Sequence, residues 1–534
     1  MGADIFVRET SAIRDSLELT RKTSIDIREK AQIRPVLFAA VAACFTFVAC
    51  YLRDFAFPNL PIMLWGDQLL YATNGYRMVS GQMPYRDFFE FLPAGTDLSY
   101  AFLFRCFGAS LWIPNLAMVV LASISIFLVT LAAGRVLRNA WVALPAIFAV
   151  GFALYGGLDA THHWFSTPLA LAGMVVLLRG TDARHVAAAG VLSGLMACFT
   201  QSKGVTVSLG FLLYLIWNSI QQNESVRTRW NKCLLFSASA LVTFLLINIH
   251  YIMQLGLVEW CRWVIVFPMR YYPTMPSQTF RSPIDDFQHH TGFLKWICVP
   301  FLYIGVPLIY AIFLWIMHRK RRVESSPRWH QLFLIAITGI AMFLAVTPSL
   351  SIMRASAVSL PATILLAWLL ARNFRTLKWV PMAASTLSIA CAIDLAVSTQ
   401  RMPWNYLDLP AGRTAILGQG KYDLYLWMKD HTHPGDTYFG IAPLSFPLWL
   451  ECPAPIQAPG PWEYYRPEHI ARSITAIKTN RIPYLVLRSY DDYKNTPGYE
   501  AEHVRSLQDY ASLHYRKIKV FPTGDEIWQR IADE

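Results

Sequence analysis

The chain has 534 residues, of which 54% are hydrophobic and 15% charged, whereas a soluble domain carries about 25% charged residues. Its apolar residues fall in blocks of about 17–22, the length a helix needs to cross the hydrocarbon core, and this excludes a soluble globular protein. The net charge of +12 calls for no nucleic acid as partner, because the cytoplasmic loops of membrane proteins collect Lys and Arg for topological reasons.

The nine cysteines form no framework. Cys44, Cys50, Cys198, Cys233, Cys298 and Cys391 sit in or beside apolar runs, where Cys behaves as a small hydrophobe. Cys106, Cys261 and Cys452 are scattered, with no CxxC, so neither a disulfide pattern nor a metal cluster is readable. Met1 to Arg34 mixes both charge signs and leads into a first apolar run long enough to span, so a cleavable signal peptide is not expected.

In chain order, residues 1–35 read as a cytoplasmic segment and Val36–Leu52 as the first span. The loop that follows, residues 53–111, is too polar to cross. Later spans are expected at Trp112–Ala133, Trp141–Tyr155, Phe165–Leu178, Val186–Phe199, Val205–Ile220, Cys233–Met253, Phe293–Met317, Leu332–Val346, Ala355–Leu370 and Val380–Val397, about eleven in all. The predicted fold class is therefore mainly α, a polytopic helical bundle over residues 36–397. With the N-terminus inside, the cytoplasmic connections include Arg227/Arg229/Lys232 and Arg319/Lys320/Arg321/Arg322/Arg328. The short outer connections Gly156–Trp164, Thr200–Gly204 and Thr347–Arg354 hold Lys203 and Arg354 and no other Lys or Arg. That asymmetry places the C-terminus outside. It requires the amphipathic run Leu98–Phe107 to stay out of the membrane.

Residues 398–534 contain no spanning segment. Short strands at Tyr438–Ala442, Tyr484–Arg488 and Ile518–Phe521, with amphipathic helices at Arg466–Lys478 and Ala501–Leu513, predict a small α/β domain on the outer, periplasmic face. A second outer loop, Gln254–Thr291, is rich in aromatics: Trp260, Trp263, Phe267, Tyr271 and Tyr272.

The outer connections bring polar groups to one membrane face. Asp67 and Glu90 come from the first loop, Asp159, His162 and His163 from GGLDATHHW, Lys203 from TQSKG, and Arg354 from SLSIMRAS. Two lone cations that break the positive-inside trend suit a phosphate. Bland roles stay open beside this one. Asp67 and Asp159 could cap helices, Lys203 and Arg354 could snorkel to headgroups, and Glu90 could be a surface residue. The adjacent His162 and His163 cannot share a helix face as an i, i+4 metal pair would, so no metal site is assigned. No Walker, GxSxG or HExxH signature is present.

These stretches carry a resemblance. W-G-D-Q-x-x-Y after the first span is similar to the D-E-x-x-Y of GT-C superfamily membrane glycosyltransferases, especially the protein O-mannosyltransferase and bacterial aminoarabinose transferase branch. GQMPYRDFFEFLPAGT, YGGLDATHHWFSTPLALAG, GLMACFTQSKG and SIMRASAVSLP follow in the family's order, and the likeness covers roughly Val36 to Leu370. Two departures stand out. Gln68 replaces the second acid of the pair, and Phe91-Leu92 fill the place before Pro93 where the aminoarabinose branch has Lys.

The resemblance implies transfer of a sugar from a polyprenyl-phosphate carrier to a membrane-associated or periplasmic acceptor at the outer face of a bacterial inner membrane. Asp67 would be the general base, and Glu90, Asp159, His162, His163, Lys203 and Arg354 would bind substrate. No cofactor follows from these residues, and a divalent cation stays open. A transporter or flippase for a lipid-linked sugar is the alternative. It fits less well because the acids lie in interfacial loops and no repeat is visible. A scaffold with an outer binding domain explains the tail but not the first loop.

Overall fold

The computed structural model describes residues 35–64, 66–271, 294–320, 328–373, 379–440, 444–453, 466–489, 491 and 501–531. The expected cytoplasmic segment up to Arg34, Trp65, Tyr272, Arg321 and Arg322 lie outside the described residues.

Helix α1 (Pro35–Asp54) leads into a two-strand hairpin, β1 (Phe55–Ala56) and β2 (Leu60–Pro61). Two amphipathic helices of the first outer loop come next, α2 (Asp67–Val79) and α3 (Gly95–Phe107). The run at Leu98–Phe107, expected from its pattern to stay out of the membrane, is part of α3, which is among neither the candidate spans nor the bent pairs. The bundle continues with α4 (Trp112–Val136), α5 (Leu144–Gly151), α6 (His162–Arg179), α7 (Ala183–Ala197), α8 (Gln201–Gln221) and α9 (Val226–Leu255). A helical stretch, α10 (residues 257–270), contains a π-helical turn at Arg262–Val266. After it come α11 (Lys295–Arg319), α12 (Arg328–Val346), α13 (Ile352–Val358), α14 (Leu360–Asn373) and α15 (Trp379–Gln400).

A helix lies at each predicted span, but not every one is long and apolar enough to cross. Among the described residues eight are, or nine when the bent pair α13–α14 is counted as one. Two predicted spans fall short for legible reasons. α7 has 15 residues, about 22 Å at 1.5 Å per residue. α6 has 18 but carries two histidines and an arginine at its ends. The crossing helices leave large apolar side chains uncovered: Leu234, Leu241, Leu246 and Met253 of α9 are all more than half exposed. Such a helix needs lipid around it. The chain is a multi-pass membrane protein.

The 63° bend between α13 and α14 has a local cause. Pro361 lacks an N–H, so the Ala357 carbonyl loses its partner four residues on. Thr167 Oγ1 of α6 donates to that carbonyl at 2.9 Å. Pro268 acts similarly in α10, where it frees the Val264 carbonyl beside the π-turn. Gln201 Nε2 of α8 donates to this carbonyl at 3.1 Å and to Phe91 O at 3.0 Å.

The C-terminal region opens with a hairpin, β3 (Asn405–Leu409) and β4 (Gly412–Ile416), and α16 (Gln419–His431). It then builds a four-stranded sheet from β5 (Phe439–Gly440), β6 (Tyr484–Arg488), β7 (Tyr515–Val520) and β8 (Asp525–Arg530), in the order β5-β6-β8-β7. The short α17 (Ser445–Leu448) follows β5, and α18 (Pro467–Thr479) and α19 (Glu502–His514) pack together. This region rests on the first outer loop. Phe446 stacks on Phe104 of α3 at 4.8 Å, Thr414 Oγ1 donates to Pro61 O at 2.8 Å, and Met63 N donates to Ala415 O at 2.9 Å.

Candidate functional site

The site begins at Gly66, whose φ of +99° turns the chain into α2; a side chain is strained in that region of backbone space. Gly66, not Asp67, occupies the N-cap, and it makes no side-chain cap. Asp67 is the first residue of α2. Its carboxylate is reachable by solvent and accepts no hydrogen bond among the described residues. Surrounding protein strips enough hydration to push its carboxyl above the usual range, while the Arg354 guanidinium pulls the other way.

Asp159 enters from the loop between α5 and α6, and that loop is tied at both ends. Gly156 N donates to Ser356 Oγ of α13 at 3.1 Å. Tyr100 OH of α3 donates to Ala160 O at 2.7 Å, and Ala160 N donates to Gln68 Oε1 at 2.6 Å. Burial and the negative charge of Asp67 raise the Asp159 carboxyl to about 7, and Arg354 opposes the shift. Arg354 lies in the first turn of α13, where Ser351 is the N-cap. Its Nη1 donates to Ser349 O at 2.7 Å. Asp67, Asp159 and Arg354, predicted from three separate loops, are within electrostatic reach of one another.

The other predicted residues surround this trio in different ways. His162 Nδ1 is bonded to Tyr71 OH at 2.9 Å, one turn along α2 from Asp67. The His163 ring lies 4.0 Å from that of His162, and both its nitrogens are buried without a partner. Lys203 is completely buried, and its ammonium donates to His163 O at 2.6 Å, Ser166 Oγ at 2.9 Å and Thr167 Oγ1 at 3.2 Å. Glu90 is buried too. Its carboxylate accepts from Phe91 N at 2.8 Å, Leu92 N at 2.9 Å and Asn74 Nδ2 at 3.2 Å. Burial pushes Glu90 up to about 7, against the pull of those backbone donors. Its neighbour Asp97, which no sequence pattern singles out, is raised well above its ordinary value by burial and by Glu90. Among the described residues no group of three or more His, Cys, Asp or Glu could hold a metal ion.

Beside the histidines opens a groove of about 900 Å³. Its walls are largely apolar, with Leu92, Leu209, Phe236 and Phe244 among them. Its polar lining includes His162, His163, Gln201 and Ser349. Phe91 and α10 complete one wall. There Phe267 meets Phe91 at 5.7 Å, and His469 of α18 lies 5.5 Å from Trp263 and 5.2 Å from Phe89. The aromatics of the second outer loop thus tie the C-terminal region to the groove.

Neither protein-family models nor curated proteins yield a match. Among solved structures, the chain is similar to the Archaeoglobus fulgidus oligosaccharyltransferase in complex with Zn and sulfate. The TM-score is 0.51 at 13% identity, over 92% of this chain and 73% of that one. It is also similar to the archaeal oligosaccharyltransferase AglB from Archaeoglobus fulgidus in complex with an inhibitory peptide and a dolichol-phosphate. There the TM-score is 0.50 at 14% identity, over 93% of this chain and 74% of the other. The chain has the GT-C fold. At this identity the likeness is one of fold and does not single out a branch of that superfamily. Within a GT-C frame, Asp67 follows the first span and the groove opens among the bundle helices.

The Lys203 network makes a prediction that needs no substrate. Lys203→Met removes three hydrogen bonds from a charged donor, each worth about 1.5–3 kcal/mol net, and also removes the cost of desolvating the charge, which offsets much of that loss. The purified variant in detergent should melt several degrees below the wild type, a shift of the size that about 1–3 kcal/mol produces. An unchanged melting temperature would mean that the ammonium does not hold α6 against α8.

Proposed function

We propose that the chain is a glycosyltransferase that moves a sugar from a polyprenyl-phosphate-linked donor to an acceptor at the outer face of the membrane. The observation that carries this reading is a carboxylate, Asp67, with no hydrogen-bond partner among the described residues and within the field of Arg354, whose guanidinium is bonded to Ser349 in the lining of a large apolar groove. The GT-C fold is the frame for it.

The chemistry divides among the residues as follows. The groove takes the first part of the prenyl chain, whose burial supplies about 0.8 kcal/mol per CH₂. The carrier phosphate lies beside Ser349, where Arg354 faces the charge that grows on it as the sugar leaves. The His163 ring lines the groove there, with its nitrogens turned into the protein. Lys203 sits behind His163 and adds its field while holding α6 in place. Asp67 accepts the proton of the acceptor hydroxyl as that oxygen attacks the anomeric carbon. Attack on the face opposite the phosphate gives a single displacement with inversion. Asp159 and His162 border the sugar. Glu90, which braces the Phe91-Leu92 wall, shapes the entrance. No step above is routed through a metal ion. The C-terminal region, packed on the first loop and on α10, is placed to help select the acceptor.

A transporter needs no base, so the two classes separate on Asp67. In membranes given radiolabelled polyprenyl-phosphate sugars, the wild type should transfer label to acceptor. Asp67→Asn should transfer none while being expressed at the wild-type level. Transfer by Asp67→Asn at the wild-type rate would remove the proposed base.

The acid side of the pH profile tests the Arg354 contact. Asp67 must be ionised to act, so the rate falls as pH drops through its raised pKa. Arg354 favours the ionised form, and Arg354→Met should move that fall to higher pH by about one unit or more. A wild-type acid limb in this variant would show that Arg354 does not govern Asp67.

A further inference from the structure

Position 68 holds a side-chain amide beside the proposed base, and its hydrogen bonds run in one direction. Ala160 N donates to Gln68 Oε1 at 2.6 Å. Gln68 Nε2 donates to Asn115 Oδ1 at 3.2 Å. Asn115 Nδ2 donates to Asp54 O at 2.6 Å and to Ile62 O at 2.8 Å. Gln68 and Asn115 are each 2% exposed, so water does not substitute for a missing partner. The two ends fix the orientation of both amides. A backbone N–H can only meet the oxygen of Gln68, and two carbonyls can only meet the nitrogen of Asn115.

The chain links four places. It begins at the N–H of Ala160, the residue after Asp159, and the carbonyl of Ala160 is held separately by Tyr100. It passes through α2, one residue from Asp67, to the first turn of α4. It ends on the β1–β2 hairpin, which is bonded in turn to β4 through Thr414.

We infer that Gln68 and Asn115 are positioning residues that set Asp159 against Asp67 and Arg354. Position 68 then requires a neutral group that accepts from Ala160 and donates to Asn115. This inference rests on the site proposed above.

An ionised glutamate at 68 could not do this. It accepts only, so its second oxygen would face Asn115 Oδ1, acceptor against acceptor. Turning the Asn115 amide would set its oxygen against Asp54 O and Ile62 O instead. A protonated carboxyl, by contrast, donates through its O–H and restores the chain. Burial raises the pKa of such a group above its ordinary value of about 4.3. Gln68→Glu therefore converts the positioning element into a proton-dependent one.

The test uses the full-length protein in three forms: wild type, Gln68→Glu and Gln68→Met. Two quantities are read across a pH series. One is transfer from radiolabelled polyprenyl-phosphate sugar, with kcat and KM for the donor separated. The other is amide hydrogen exchange in the peptide that contains Ala160, corrected at each pH for its intrinsic rate. Gln68→Glu should approach wild-type kcat on the acid side. On the alkaline side it should fall roughly tenfold or more below wild type with donor KM little changed. Protection at Ala160 should be lost over the same range. Gln68→Met, which keeps the volume but neither hydrogen bond, should lose protection and kcat at every pH. Wild-type protection and a wild-type pH profile in Gln68→Glu would overturn the inference, as would full protection at Ala160 in Gln68→Met. Exchange does not depend on turnover. A wild type that transfers nothing would count against the proposed function, and the exchange data would still decide the role of the amides.

Discussion

The arrangement of the bundle around the candidate site depends on how one buried ammonium is satisfied. Lys203 lies between α6 and α8 with no access to water, and it finds its acceptors on the first turns of α6. A buried charge without such partners costs several kcal/mol, so the helices are held where those three oxygens converge. One acceptor, Thr167 Oγ1, donates onward to the Ala357 carbonyl freed by Pro361. That carbonyl lies in the last turn of α13, just before the bend, and Arg354 lies in the first turn of the same short helix. A chain of contacts thus runs from a lysine with no exposed surface to the short helix that carries Arg354.

Arg354 is set among carboxyl groups. Asp67 and Asp159 share its field, and Glu90 and Asp97 lie further along the same loop. Burial raises all four carboxyls. Only Asp67 and Asp159 feel Arg354 directly, whereas Glu90 is held by backbone N–H groups. A carboxylate opposed by one cation and engaged in no hydrogen bond among the described residues is poised to accept a proton, which is what the proposed transfer asks of Asp67. Glu90, by contrast, shapes the loop: its two backbone bonds fix Phe91 and Leu92, which form part of the groove wall.

Much of the architecture could be read from the sequence because lipid imposes a length. The long apolar runs became helices at the expected places, and strand β6 matches the predicted Tyr484–Arg488. The count of crossings was harder to read, since α6 and α7 are apolar yet short or polar-ended. Strand β8 was missed because Asp525–Arg530 mixes charge with apolar residues. It is nevertheless the strand between β6 and β7, and its Glu526 is paired with Lys517 at 2.8 Å. In the site, loops on one face predicted the meeting of Asp67, Asp159 and Arg354. Periodicity could not show that the Lys203 ammonium turns inward to α6, since its acceptors are a carbonyl and two hydroxyls of ordinary appearance. The work of Gln68 was equally hidden, because a one-way hydrogen-bond chain exists only once α2, α4 and the Asp159 loop are side by side.

The proposed mechanism stands or falls on a single displacement driven by Asp67. The stereochemistry of the product reports that step directly. The anomeric configuration of the transferred sugar, read from its one-bond and vicinal NMR couplings, should be opposite to that in the polyprenyl-phosphate donor. Retention of configuration would require a second displacement through a covalent intermediate, and would contradict the role of Asp67 as general base in a single step.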